Sequence, residues 1–173
     1  MPTGVKSNMS ITRRNFLTAG VAASLFVGRQ GLANEELPLK VYAAKRGLLY
    51  GCAVHYKYLN DIPFAQAVAR EAAIVVPEGE LKRGTVQPDP DRFNFTYADQ
   101  ITDFAAKHGM QMRGHTLVWH AANPPWLVAA LEARPSERIL TDYIEKVAGY
   151  YRGRMHSWDV VNEAIMPSEG HFD

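Results

Sequence analysis

The chain has 173 residues, with 19 basic against 18 acidic side chains and a single cysteine. That balance excludes the broad basic surface needed to hold nucleic acid or an anionic membrane. One cysteine excludes an intrachain disulfide. Cys52, inside the apolar run Leu48-Leu49-Tyr50-Gly51-Cys52-Ala53, reads as an inert core thiol.

Residues 1–33 read as a leader. Thr12-Arg13-Arg14-Asn15-Phe16-Leu17 is a twin-arginine pattern, and an apolar run over 17–27 follows it. Gly31-Leu32-Ala33 supplies the small-x-small pattern of a signal peptidase, with cleavage before Asn34. A run this short does not cross a bilayer as a helix, so no stable membrane anchor is expected. An ordinary amphipathic helix is the alternative, and the order of arginines, apolar run and cleavage site argues against it. The expectation is export by the twin-arginine machinery, to the periplasm or beyond. The leader carries four basic residues and no acid, leaving 15 basic and 18 acidic, a net charge near −3.

Residues 34–46 form a lead-in, either a linker or an outer helix, and the fold proper is expected over 47–173. A strand is predicted over 48–54. A helix follows over 63–72, with Phe64, Ala67, Val68 and Glu71 at helical spacing and Pro63 in its first turn. A buried strand over 73–76 is stopped by Pro77, and Pro88-Asp89-Pro90-Asp91 marks a surface loop. The next helix places Tyr97, Ile101, Phe104, Ala105 and His108 on one face, with Thr96 and Asp99 as a cap and Gly109 as its stop. A third strand is predicted up to Val118, and Pro124-Pro125 is read as a break. A helix over 136–151 follows, with Ile139, Leu140, Tyr143, Val147 and Tyr150 inward, and then a strand over 155–162. Residues 167–173 read as a polar tail.

Strands alternating with helices indicate βαβ units on a parallel sheet. A closed (β/α)8 barrel takes about 250 residues, and four units are about half of one. The expectation is the N-terminal half of such a barrel, with a smaller open sheet as the alternative. Half a barrel alone leaves its outer strands as unpaired edges and is expected to aggregate or dimerise.

The chemistry falls at the ends of the predicted strands. Pro77-Glu78-Gly79-Glu80-Leu81-Lys82 follows the second, Arg113-Gly114-His115-Thr116-Leu117-Val118-Trp119-His120 covers the third, and Trp158-Asp159-Val160-Val161-Asn162-Glu163 forms the fourth. Strand ends at that face are where barrels carry catalysis. A carboxylate leaving the core there, half desolvated, suits general acid work, which singles out Glu163. Carboxylates, an amine, imidazoles, an amide and indoles together suit a sugar, whose hydroxyls need donors and acceptors and whose C–H faces pack on rings.

These motifs resemble glycoside hydrolase family 10. The matching text is Phe93-Asn94-Phe95 through Ala98-Asp99, then 113–120 with Pro124 and Trp126, then 157–164. The resemblance implies a (β/α)8 barrel and endo-1,4-β-xylanase activity with retention of configuration, on xylan or xylooligosaccharide and without cofactor or metal. It implies that Glu163 is the acid/base and that Asn162 bonds the sugar 2-hydroxyl. It implies that Glu78, Lys82, His115 and Trp119 hold sugars on the non-reducing side, with His120 and Trp126 supporting. Gly79, Arg83 and Ala122 depart from it, standing where Asn, Trp and Gln are usual.

A retaining enzyme needs a second carboxylate about 5–5.5 Å from the first. The resemblance places that nucleophile on a later strand, beyond residue 173, so residues 1–173 alone are expected to be inactive. Alternatives remain at single positions. Glu163 is able to pair with Arg152 or Arg154, Trp119 and Trp126 to be core residues, Lys82 to be a solvated surface lysine, and Glu80 to be structural. The spacing of His115 and His120 argues against a metal pair. A glycosidase for another β-1,4-glycan, or a catalytically inactive carbohydrate-binding product, are the other readings.

Overall fold

The computed structural model describes residues 36–165. The twin-arginine pattern, its apolar run and the cleavage site, like the tail at 167–173, lie outside the described residues. Helix α1 (Leu39–Ala44) precedes β1 (Gly51–Val54). A 3-10 turn (Tyr56–Asn60), α2 (Ile62–Glu71) and β2 (Ile74–Pro77) follow. Then come α3 (Arg83–Val86), α4 (Thr96–Lys107) and β3 (Gln111–Val118), and after a second 3-10 turn (His120–Ala122), α5 (Pro125–Ala133), α6 (Arg138–Tyr150) and β4 (Ser157–Val161).

The four strands form one parallel sheet in the order β1-β2-β3-β4. Parallel neighbours require a crossover, and each crossover here includes helix, as the sequence predicted. All four carboxyl ends therefore meet at one edge of the sheet.

Strand alternation explains the two faces. Met112, Gly114 and Thr116 of β3 are buried, while Gln111 and Arg113 are exposed and His115 is half-buried. The buried face packs on Val68 and Ala72, on Ala98, Ile101 and Ala105 of α4, and on Tyr143, Val147 and Tyr151. Among the described residues β1 and β4 each pair on one side only, and Val160 and Val161 of β4 are exposed.

Several local expectations are corrected. The first strand starts at Gly51, and Leu48, Leu49 and Tyr50 before it are exposed. Asp61 caps α2 by accepting from the Phe64 N–H at 3.2 Å. In the same helix Ala67 is exposed, and Phe64, Ala65 and Val68 turn toward the core. The expected Thr96/Asp99 cap of α4 is absent. Asn94 Oδ1 accepts from the Thr96 N–H at 3.0 Å, and Asp99 instead accepts from the Tyr150 hydroxyl at 2.6 Å. Tyr97 and His108 are exposed rather than inward, because the buried face of α4 is Ala98, Ile101, Thr102 and Ala105. Tyr150 is likewise exposed and lies flat against Phe95, with ring centroids 3.9 Å apart. Gly109, with φ +65°, does end α4.

Pro124-Pro125 does not break the chain. It starts α5, whose first turn tolerates Pro125 because that N–H has no helical partner.

One close approach governs the β3–β4 pairing. Gly114 lies opposite Trp158, and a Cβ at Gly114 would sit 2.1 Å from the indole ring. Gly114→Ala is expected to destabilise the protein by about 1–3 kcal/mol through overpacking against a stiff ring, measured as a lower urea midpoint at unchanged slope.

Candidate active site

Asn162 and Glu163 follow the last residue of β4, and the Asn162 N–H donates to the Val118 carbonyl at 2.9 Å. That bond sets the end of β4 beside the end of β3. Glu163 then turns into the left-handed region, with φ +51°. A non-glycine residue held there costs roughly 1–3 kcal/mol, a cost met where the surrounding structure fixes the geometry.

The fixing partner is Trp119, just past β3. Its indole Nε1–H donates to Glu163 Oε2 at 2.8 Å. His120 Nε2 lies 3.9 Å from the same oxygen. Lys82 Nζ sits 4.9 Å from the Trp119 ring centre, a cation–π distance. Lys82, Trp119, His120 and Glu163 thus form one cluster drawn from the ends of β2, β3 and β4. Neither Arg152 nor Arg154 reaches Glu163; Arg154 pairs with Asp99 at 3.5 Å. The half-desolvated setting expected for Glu163 is not what the described residues provide, because its side chain is 55% exposed.

A second group lies deeper along the same strands. His115 faces Asp159 across the β3–β4 pairing, with Nδ1 3.0 Å from Oδ2. Arg113, two residues earlier on the same face, bonds Asp159 through both Nε and Nη2. The Thr116 hydroxyl donates to the Asp159 carbonyl at 2.9 Å. One carboxylate therefore orients an imidazole and neutralises a guanidinium. Glu78 is exposed at the end of β2 and lines, with His115, Cys52 and Val76, a shallow cavity of about 380 Å³.

Glu80 belongs to the scaffold. It is buried and accepts from the Tyr56 and Gly79 N–H groups, each at 2.9 Å. Trp126 is not brought to the Glu163 cluster: its indole N–H donates to the Gln87 carbonyl at 3.1 Å and its ring lies against Arg83. Cys52 is half-buried against the core, and its burial pushes the thiol above its ordinary value, which keeps it in the unreactive protonated form.

The family model of Glycosyl hydrolase family 10 matches residues 38–172, well over half of the chain. The chain belongs to that family. A beta-1,4-xylanase of Dictyoglomus thermophilum is 36% identical over 137 residues, which cover 79% of this chain and 38% of that protein. Endo-1,4-beta-xylanase B of Thermotoga neapolitana is 35% identical over 78% of this chain and 40% of its own. Among solved structures, xylanase 10B from Thermotoga petrophila RKU-1, in complex with xylobiose, matches with a TM-score of 0.70 and 31% identity, over 80% of this chain and 44% of that one. The Thermobacillus composti GH10 xylanase matches with a TM-score of 0.67 and 38% identity, over 76% and 42%. The chain spans about two fifths of the length of these relatives.

In this family 10 chain, sequence reasoning assigned no role to Asp159 or Arg113. The available signal was the alternation of Arg113 with His115 on one strand face, but their partner lies 44 residues from His115 and needs the strand register to be found. The hydrogen bond from Arg113 holds the Asp159 carboxyl below the ordinary carboxylate value, with burial opposing and His115 reinforcing. A depressed folded-state value stabilises the fold above the unfolded value of about 3.9, and the stabilisation is lost as pH falls through the folded value. Arg113→Met is therefore expected to shrink the loss of unfolding free energy between neutral and acid pH. Urea titrations at pH 7 and at stepped lower values measure this. An unchanged acid slope would mean that Arg113 does not hold Asp159.

Proposed function

We propose that this chain is the N-terminal part of an exported endo-1,4-β-xylanase that hydrolyses with retention of configuration. The observation that carries the reading is the position of Glu163. It stands at a β-strand carboxyl end, held by the Trp119 indole beside His120, with Asn162 preceding it. The xylanases that resemble it, one of them solved with xylobiose, support xylan as the substrate.

In the proposed reaction Glu163 is protonated at the start. A nucleophilic carboxylate, supplied by the part of the relatives' length outside this span, attacks the anomeric carbon while Glu163 gives its proton to the departing glycosidic oxygen. The resulting carboxylate then takes a proton from water, whose oxygen displaces the enzyme carboxylate from the sugar. The Trp119 N–H suits both halves, because a single donated bond orients the carboxyl group without neutralising it. Glu78, Lys82 and His115 offer an acceptor, a cation and an imidazole to sugar hydroxyls, and Asp159 fixes the His115 ring. Asn162 is assigned to the 2-hydroxyl of the sugar at the scissile bond, and His120 to support of Glu163.

In the gene product carrying the whole barrel, Glu163→Gln is expected to lower kcat on xylan by about 10²–10⁴-fold. A substrate with a good phenolate leaving group should lose much less in the first step, because it needs no proton. Equal losses on both substrates would sink the acid/base assignment. Export is proposed from the twin-arginine pattern, a receptor-read address rather than an anchor. Replacing Arg13 and Arg14 together by Lys should leave the protein in the cytoplasmic fraction, and unaltered export would refute that reading.

A further inference from the structure

Arg83 stands on α3 with its side chain turned into the fold and only 3% exposed. Its guanidinium carbon lies 4.2 Å from the Tyr143 ring centre and 5.4 Å from that of Trp126. Nε donates to Gln87 Oε1 at 3.2 Å and Nη2 to the Ile139 carbonyl at 2.9 Å. Nη1 has no hydrogen-bond partner, and neither has the buried Tyr143 hydroxyl. Among the described residues no carboxylate lies within ion-pair distance of this guanidinium. A buried charge without a counter-ion is among the costliest arrangements in a protein interior.

Arg83 and Tyr143 both line a cavity of about 440 Å³ between α3, α5 and α6, within the size range of small-molecule sites. Trp126 and Phe93 give it aromatic walls, and Lys146 stands at its rim with Nζ 5.5 Å from the Phe93 ring. Asp142 also lines it, but is exposed and, among the described residues, makes no ion pair with Arg83.

We propose that this cavity binds a small organic acid, a carboxylate carried on a six-membered ring. The carboxylate is assigned to the buried, unpartnered Nη1 of Arg83 and the buried Tyr143 hydroxyl, two unused donors for two oxygens. The ring fills the aromatic part of the cavity. A phosphate, with three strong acceptor oxygens and no apolar body, matches this lining less well. The inference is independent of the reading of Glu163, since none of these residues touches that carboxylate.

The test is calorimetric titration of the full encoded protein with two matched pairs, glucuronate against glucose and benzoate against benzyl alcohol, and with inorganic phosphate. At least one carboxylate is expected to bind tenfold or more tightly than its neutral partner and than phosphate. Which pair shows the preference identifies the ligand as a sugar acid or an aromatic acid. Arg83→Met is expected to abolish the preference while the protein stays folded, since an apolar chain of similar length replaces an unpaired charge. The proposal fails if neither carboxylate is preferred in the unaltered protein, which would leave Nη1 to a buried water. It also fails if phosphate binds as well, or if Arg83→Met keeps the preference.

Discussion

The seat of Trp158 on Gly114 is the constraint from which the rest of the site follows. Where β3 lacks a Cβ, the indole of β4 settles onto the strand, and the pairing locks at Gly114 opposite Trp158. The next pair in that register is His115 with Asp159, and a shift further along brings Val118 opposite Val161. That last pairing, with the Asn162 N–H on the Val118 carbonyl, delivers Glu163 to within a hydrogen bond of Trp119. A slip of one residue would send Asp159 to the helix-covered face and carry Glu163 away from the indole.

The two faces of the sheet divide the work. The helix-covered face is apolar and close-packed, and it holds the strands rigidly enough for side chains on the other face to be aimed. Among the described residues the other face carries Arg113, Asp159 and His115, an ion pair whose carboxylate also orients an imidazole. Among the described residues Glu163 has a left-handed backbone and an exposed side chain, and the bond from the Trp119 indole holds it.

Arg83 shows the reverse arrangement on the helix side. A guanidinium enclosed by Tyr143 and Trp126, with one edge unpartnered, sits where apolar packing would be cheaper. Trp126 takes part in that arrangement, which accounts for its distance from the cluster around Glu163.

The alternation of strands and helices, the parallel sheet they imply, and the placing of polar clusters after β2, β3 and β4 are legible in the amino-acid order alone. These follow from local periodicity and breaker residues, which act within a few positions along the chain. Helix α5 escaped because two prolines read as a break and not as a start. The Thr96/Asp99 cap failed because Asn94, two residues ahead of Thr96, took the bond and Asp99 was claimed by Tyr150 on a distant helix. Tertiary structure alone decided that Asp159 serves both Arg113 and His115, that Trp119 holds Glu163, and that Trp126 belongs with Arg83. Each of these joins side chains about forty residues apart or more. Strand register and helix packing choose such partners, and neither is encoded within the local window that sequence periodicity reads.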